Sequence, residues 1–202
     1  MDIVAESVKK LEHLLEHSGC EEVGVLLDVN TDAVNCQYET GACMSAAFGG
    51  RSADFVTFDP IRARTKISFM FGASLDTPQV RGAACAIINV AAGFFCLSRV
   101  LHACPRSSHD SCTGQIRKEL AGKKVWCVGS VPGIDSDSRH TPAAGADDAD
   151  VIVIGGDGII ATGTGDLFEN SVNRKRIICI GPSTAGIARL NEIEHWCPFG
   201  KS

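Results

Sequence analysis

Three short apolar runs of the same design lie in the second half of the chain. They are Val125–Gly129, Val151–Gly155 and Ile177–Gly181; they begin 26 residues apart, and each ends in glycine. An unalternated run rich in β-branched residues is typical of a strand buried on both faces, as in a parallel sheet covered by helices. Parallel neighbours need a crossover of roughly a dozen residues or more, which this spacing allows. The pattern therefore predicts an α/β fold with a Rossmann-like parallel sheet and helices on both of its faces.

The first 75 residues have a different pattern. Apolar residues at helical spacing over residues 2 to 17 predict an amphipathic helix. Apolar segments between turn residues then predict four strands. The small residues from Thr40 to Arg51 suit a loop over a ligand site or a linker, and we favour the loop. We therefore divide the chain into a small N-terminal α+β element, residues 1–75, and a Rossmann-like domain, residues 76–202. The predicted strands are Glu22–Val29, Ala33–Tyr38, Asp54–Asp59 and Thr65–Phe71.

A long helix is predicted from Thr77 to about Ala103. It contains seventeen uncharged residues in succession, from Gly82 to Ser98. That run is short for a membrane span and contains Asn89, so the pattern favours a helix packed on the sheet and no membrane partner. Its alanines and glycines equally suit a two-fold contact, and we expect a homo-oligomer, most simply a homodimer.

The glycines that end the apolar runs mark the predicted ligand edge of the sheet. In open parallel sheets ligands bind beyond the carboxyl ends of the strands, where glycine lets the backbone approach them closely. Ser183 or Thr184 is predicted to cap a helix over Ala185–Glu194, so that free amides of its first turn face an anion. The candidate ligand-binding residues are Gly129, Gly133, Gly155, Gly156, Asp157, Gly158, Gly181, Ser183 and Thr184.

The second of these turns opens a longer glycine-rich loop. Gly155 to Asp166 leads into a helix predicted over Asp166–Asn173, and Gly163 and Gly165 offer a further place for an anion. Neither the G-x-G-x-x-G pattern of dinucleotide sites nor the phosphate loop ending in G-K-[ST] is present. Glycines at strand ends also serve tight packing alone, and that interpretation stays open.

Composition narrows the class of protein. The chain has 202 residues, of which 45% are hydrophobic and 21% charged, which suffices for a sizeable core. The formal net charge is −5 and no basic run is longer than Asn173–Arg176, so neither nucleic acid nor an anionic membrane is an expected partner. No cationic segment followed by an apolar one begins at Met1, so we expect a cytoplasmic protein whose ten cysteines are thiols.

The cysteines divide into core positions and candidate ligands. Cys85, Cys96, Cys127 and Cys179 lie in apolar runs and are predicted to be buried. Thiolates with imidazoles favour zinc, iron, nickel or cobalt, although no C-x-x-C pair is present and nearby pairs also arise by chance. The candidate metal ligands are Cys104, His109, Cys112, His195 and Cys197.

Short motifs in this half of the chain resemble a known family. Gly122–Gly129, Asp150–Ile154, the turn Gly181–Thr184 and the helical Ala86–Asn89 are similar to the heavy-metal chelation domain family, a Rossmann-like domain of unknown function. The resemblance covers roughly residues 80 to 195. It implies a two-part protein with an enolase-N-terminal-like first part and an activity in handling a metal or a metal-containing ligand.

Three functions are compatible with these observations. The first is a binding protein or enzyme that handles a metal ion, or a small molecule carrying one, with an anionic group held at Gly181–Thr184. The second is a nucleotide- or S-adenosylmethionine-using transferase, in which the turns at Gly129 and Gly155 hold the cofactor and Asp157 or Asp150 contacts a ribose. The third is a ligand-sensing module without catalysis, since Asp135, Asp137 and His140 are predicted to form a solvated turn.

Overall fold

The computed structural model describes residues 2–161, 164, 167, 168 and 175–202. These residues form a four-stranded antiparallel sheet, a five-stranded parallel sheet and five helices that cover them. The helices are α1 (Ile3–Leu15), α2 (Pro78–Phe94), α3 (His109–Leu120), α4 (Gly156–Ile160) and α5 (Ala185–Leu190). The strands are β1 (Gly24–Val29), β2 (Ala42–Phe48), β3 (Arg51–Thr57), β4 (Ala63–Lys66), β5 (Lys124–Val128), β6 (Thr141–Pro142), β7 (Val151–Ile154), β8 (Arg176–Ile180) and β9 (Glu194–Trp196).

The parallel sheet confirms the prediction made from the three apolar runs. Its strand order is β6-β5-β7-β8-β9, and every neighbouring pair is parallel. The three runs form the adjacent strands β5, β7 and β8, with Val125 beside Val151 and Ile152 beside Ile177. Between β5 and β7 the chain makes turns and the two-residue edge strand β6 where a helical crossover was expected.

Both faces of the parallel sheet are buried, which explains why its strands show no polar alternation. Ile152 and Ile154 point into a core shared with α1, α2, α5 and the antiparallel sheet. Val151 and Val153 point into a second core on the other face, together with Ile116 and Leu120 of α3. The predicted α/β fold, with a parallel sheet flanked by helices behind an α+β element, is thereby confirmed.

The antiparallel sheet corrects the predicted N-terminal strands. Its order is β3-β2-β1-β4, and β2 lies where the sequence predicted a loop over Thr40–Arg51. Gly49 and Gly50 adopt φ angles of 56° and 77° and turn the chain between β2 and β3. The predicted strand Ala33–Tyr38 was wrong, since this segment has no regular structure apart from a turn at its last two residues. The small residues of β2 concealed its buried positions from the hydrophobic pattern.

Two further strand boundaries differ from the predictions. The strand predicted over Asp54–Asp59 is β3, which begins earlier, at Arg51. The strand predicted over Thr65–Phe71 is the shorter β4 followed by a 3₁₀ turn at Ile67–Met70. The helix predicted over Asp166–Asn173, with Gly163 and Gly165, lies almost wholly outside the described residues.

Helix α2 is shorter than predicted and is enclosed by the chain itself. Thr77 caps it, accepting a hydrogen bond from the amide of Val80 at 3.3 Å, and it ends at Phe94. It packs on β2 and β3 on one side and on α5 on the other. Cys96, predicted to be buried, lies beyond the helix end and is exposed, while Cys127 is only partly covered. Among the helices of the described chain, none has the length and apolar character that crossing a bilayer requires.

The C-terminal segment is part of the sheet, which the sequence did not predict. Residues 194 to 196 form β9 at the edge, parallel to β8, with His195 beside Cys179. Lys201 then exchanges two backbone hydrogen bonds with His102, at 3.0 Å each. The chain end therefore joins the segment that follows α2 to the parallel sheet.

Candidate functional site

A carboxylate of the chain itself occupies the turn at the end of β8. Gly181 has a φ of 85°, and the amide of Ser183 donates a hydrogen bond of 2.9 Å to Oε1 of Glu39. A Cβ atom at Gly181 would come within 2.6 Å of that oxygen, so glycine is needed for the close approach. The turn was predicted to bind an external anion, and in the structure Glu39 satisfies one of its amides.

Neither predicted capping residue caps α5. The hydroxyl of Ser183 accepts a hydrogen bond of 2.8 Å from the amide of Val56. The hydroxyl of Thr184 donates to the carbonyls of Ile180 and Gly181, at 3.2 and 3.1 Å. A 3₁₀ turn over Pro182–Thr184 leads directly into the helix. These side chains fix the turn against β3 and β8, and the expectation of a side-chain cap was wrong.

Burial sets the charge of Glu39. Removal from water raises the pKa of its carboxyl to about 7, against the lowering effect of hydrogen bonds from the Ser183 backbone and side chain. The negative charges of Asp54 and Asp157 raise the pKa further. Its second oxygen, Oε2, is buried and has no hydrogen-bond partner among the residues that the structure describes. Glu39 is therefore an internal carboxyl that exchanges its proton near neutral pH.

Sequence reasoning missed Glu39, although a signal was present. It is the only charged residue between Asp32 and Arg51. A segment of small and apolar residues tends to be buried, and a lone acidic residue within it is then buried too. Buried carboxylates are uncommon unless they are paired or functional. The pairing with Ser183 spans 144 positions, which no local pattern predicts.

Cys36 and Cys197 lie near enough to this carboxyl for its charge to act on them, and Cys104 and Cys112 act in turn on Cys197. These four residues are called here the thiol cluster. Burial, and to a smaller extent the charge of Glu39, raises the pKa of Cys36 far above its ordinary value and the pKa of Cys197 to about 12. Burial, followed by the nearby Cys112, also raises the pKa of Cys104. Every thiol of the cluster whose pKa is shifted is thus held in its neutral form.

The loop before β2 anchors the cluster to α3. The hydroxyl of Tyr38 donates to Sγ of Cys112 at 3.7 Å, and Thr113 donates to the side chain of Gln37 at 3.0 Å. The amide of the Gln37 side chain donates to the His109 carbonyl, also at 3.0 Å. These contacts hold the turn that carries Cys36 and Glu39 against the N-terminal half of α3.

The predicted set of five metal ligands is brought together only in part. Cys104, Cys112 and Cys197 lie in the thiol cluster, but Nε2 of His195 is 2.8 Å from the Gly181 carbonyl, and burial lowers the pKa of its ring. His109 begins α3, with its Nε2 buried and unpartnered among the described residues. Within that part of the chain no three His, Cys, Asp or Glu side chains are arranged to hold a metal ion. The thiols pack instead as small apolar groups.

The glycine turns at the ends of β5 and β7 are filled by the chain's own atoms. Oδ2 of Asp157 accepts a hydrogen bond of 2.9 Å from Ser130, and Oδ1 lies 2.5 Å from a Cβ placed at Gly129. A Cβ at Gly155 would be less crowded, with the Ser130 carbonyl oxygen nearest at 3.1 Å, and Gly133 faces open space. The other residues predicted to contact a ligand also make contacts within the chain. Gly156 packs on Ser183, and Gly158 packs on the carbonyl of Val128. Asp150 accepts a hydrogen bond of 2.8 Å from the amide of Lys124.

Three surface cavities lie away from Glu39. One of about 480 Å³ lies beside α1 at His13 and His17, and a small apolar one of about 160 Å³ lies between α2 and β4. The third, about 700 Å³, lies beside α5 and is lined by Arg99, Arg189 and His195 among others. Glu39 and the thiol cluster line none of these three cavities.

Comparisons with known proteins give similarity in structure only. No family model matches the chain, and no curated protein matches it. One similar solved structure is a protein of unknown function from the DUF364 family of Desulfitobacterium hafniense DCB-2, 16% identical with a TM-score of 0.44 over 81% of this chain and 78% of the other. Another DUF364 protein of unknown function, from Pyrococcus horikoshii, is 14% identical with a TM-score of 0.48 over 90% and 79%. Neither similarity bears on what this chain does.

Proposed function

We propose that the protein binds a soft transition-metal ion, or a small molecule that carries one, at Glu39 and the thiol cluster. The observation that carries this proposal is the buried Oε2 of Glu39, which has no partner among the described residues. An unsatisfied polar atom in a protein interior is costly, and a bound cation is one of the few groups that would satisfy it. The three surface cavities do not include these residues, which favours a bare ion over a small molecule that carries one.

The chemistry of the surrounding donors supports the same ligand. A carboxylate with several thiolates favours zinc, iron, nickel or cobalt over magnesium or calcium. Burial holds the thiols of Cys36 and Cys197 in their neutral forms and raises the pKa of Glu39 to about 7. A bound metal cation instead favours the deprotonated forms of these groups, because coordinated thiols bind as thiolates. Binding is therefore expected to release protons at neutral pH.

The donors have to move for this to happen. Cys36, Cys104 and Cys197 all lie in turns and loops, outside the helices and strands. Rotation of their side chains toward Glu39 is therefore compatible with the fold around them. The resemblance of the sequence to the heavy-metal chelation domain family supports the same class of ligand.

A titration of the full chain with Co²⁺ tests the proposal. We expect near-stoichiometric binding, a thiolate-to-cobalt charge-transfer absorption and release of at least one proton per ion. Cys36→Ser, Cys197→Ser and Glu39→Gln are each expected to weaken binding by about 10- to 100-fold or more, the range known for disturbed metal sites. Binding is followed by absorbance and proton release by a pH-indicator dye.

Cys85→Ala is the matched control. Cys85 is fully buried, but it belongs to the core around α2 and not to the thiol cluster. Its removal is expected to leave the cobalt affinity unchanged. The proposal fails if no thiolate absorption develops, or if the three cluster variants bind cobalt as tightly as the unaltered chain does.

The transferase has less support. Its predicted cofactor contacts, Asp157 and Asp150, already bind backbone amides of the chain, at 2.9 and 2.8 Å. Gly129 and Gly158 serve close packing of β5 on α4. A nucleotide or S-adenosylmethionine molecule would have to displace these contacts.

A further inference from the structure

A serine, a histidine and an aspartate lie in series on the outer edge of the antiparallel sheet. Ser52 and Asp54 are two positions apart on β3 and therefore share one face of the strand. His102, from the segment after α2, lies between them. Its Nδ1 is 2.9 Å from Oδ2 of Asp54, and its Nε2 is 3.4 Å from Oγ of Ser52.

The acidic end of this series is buried and fixed. Oδ1 of Asp54 accepts a hydrogen bond of 2.6 Å from the hydroxyl of Ser45, which lies opposite it on β2. Burial acts to raise the pKa of Asp54, but hydrogen bonds with His102 and Ser45 outweigh it and hold the pKa below its ordinary value. Asp54 is consequently ionised at neutral pH and orients the ring of His102 through Nδ1.

The histidine is held by its backbone as well as by its ring. The amide of Asp54 donates to the Leu101 carbonyl at 2.8 Å. His102 exchanges two backbone hydrogen bonds of 3.0 Å with Lys201. The ring thus has little freedom to turn away from β3, and its Nε2 faces the hydroxyl.

The nucleophilic end is open to solvent. Ser52 is exposed, Asp54 is buried, and the His102 side chain is 29% exposed. A series that runs from a buried acid through a half-buried base to an accessible hydroxyl is the arrangement that activates a serine. A hydroxyl-to-imidazole distance of 3.4 Å is within the range found before a substrate is bound.

We propose that Ser52, His102 and Asp54 form a nucleophilic site that transfers acyl groups from small esters to water. Oγ of Ser52 bonds to the carbonyl carbon while its proton passes to Nε2 of His102. The ester C–O bond then breaks, and the leaving alcohol takes that proton. Water, deprotonated by the same nitrogen, hydrolyses the acyl-serine and restores the hydroxyl. The three residues of this site are different from those of the metal site proposed above.

Covalent labelling with a fluorophosphonate tests the site directly. Oγ of Ser52 displaces fluoride from phosphorus, and the adduct is located by mass spectrometry of peptides. We expect a single adduct on Ser52, none in Ser52→Ala, and a labelling rate at least about 100-fold lower in His102→Gln, since general bases typically contribute that much. All reactions contain a chelator, so that the result does not depend on bound metal.

A control variant distinguishes activation from mere exposure. Ser111→Ala removes another exposed serine, on α3, and should leave labelling unchanged.

Other results would overturn the inference. They are labelling of Ser111 as fast as that of Ser52, no adduct on Ser52, or a rate that His102→Gln leaves unchanged while circular dichroism shows an intact fold. Asp54→Asn provides the second variant, because it keeps the shape of the acid and should slow labelling with the fold preserved.

Discussion

Replacing Glu39 by glutamine is expected to remove a pH dependence of about 3 kcal/mol from the free energy of unfolding. The pKa of the carboxyl rises from 4.5 to about 7 on folding, chiefly through burial. Between these two values the folded protein binds more protons than the unfolded one. The stability contributed by the neutral carboxyl is thus complete below pH 4.5 and is lost as pH rises to about 7. Glutamine resembles the protonated acid and has no proton to lose.

Urea unfolding of both proteins near pH 5 and pH 8 measures the effect. The unaltered chain is expected to lose about 2 to 3 kcal/mol more than Glu39→Gln between the two conditions. Glu12→Gln makes the same chemical change on the exposed face of α1 and should shift stability by only about 0.5 kcal/mol or less. Equal pH dependence in the unaltered and Glu39→Gln proteins would show that the carboxyl ionises as readily in the folded chain as in water.

The fold was largely predictable because its organising signal is local. Each central strand of the parallel sheet is a short, continuous apolar run, and burial on both faces removes the need for polar positions. The antiparallel sheet was harder to predict. In β2 the buried positions include Cys43 and Ala46, whose small side chains give little contrast with their neighbours. The strand is defined by its pairing with β1 and β3, which is a tertiary property.

The site was less predictable because its contacts join distant parts of the chain. Cys104, Cys112 and Cys197 were recognised from their chemistry, and the fold places them in one cluster. Glu39 and Cys36 were not recognised, since their segment was predicted to be a strand and a loop. His195 was assigned to a metal, but its place in the edge strand β9 directs it to the Gly181 carbonyl. Spacing in the sequence identifies candidate donors, whereas strand pairing decides which of them meet.

Asn89 is a further buried polar residue that holds the Gly181 turn in position. It is buried in α2, and its side-chain amide donates to the carbonyls of Ser183, Pro182 and Asp54, at 3.0, 3.3 and 3.4 Å. Its Oδ1 accepts a hydrogen bond of 2.8 Å from the amide of Gly186. One side chain therefore ties α2 to β3, to the turn and to the start of α5.

Asn89→Ala is expected to lower the free energy of unfolding by about 3 to 5 kcal/mol, because a buried network loses its central member and the Gly186 amide is left without an acceptor. Cys85→Ala, one helical turn earlier and equally buried, removes only an apolar contact and should cost about 1 to 2 kcal/mol. Urea unfolding with matched slopes compares the two variants. A loss in Asn89→Ala no larger than in Cys85→Ala would mean that water replaces the side chain in the network. If Asn89→Ala loses more stability than Cys85→Ala, the Gly181 turn is expected to shift as well. Cobalt binding at Glu39 should then weaken, although Asn89 lies outside the thiol cluster.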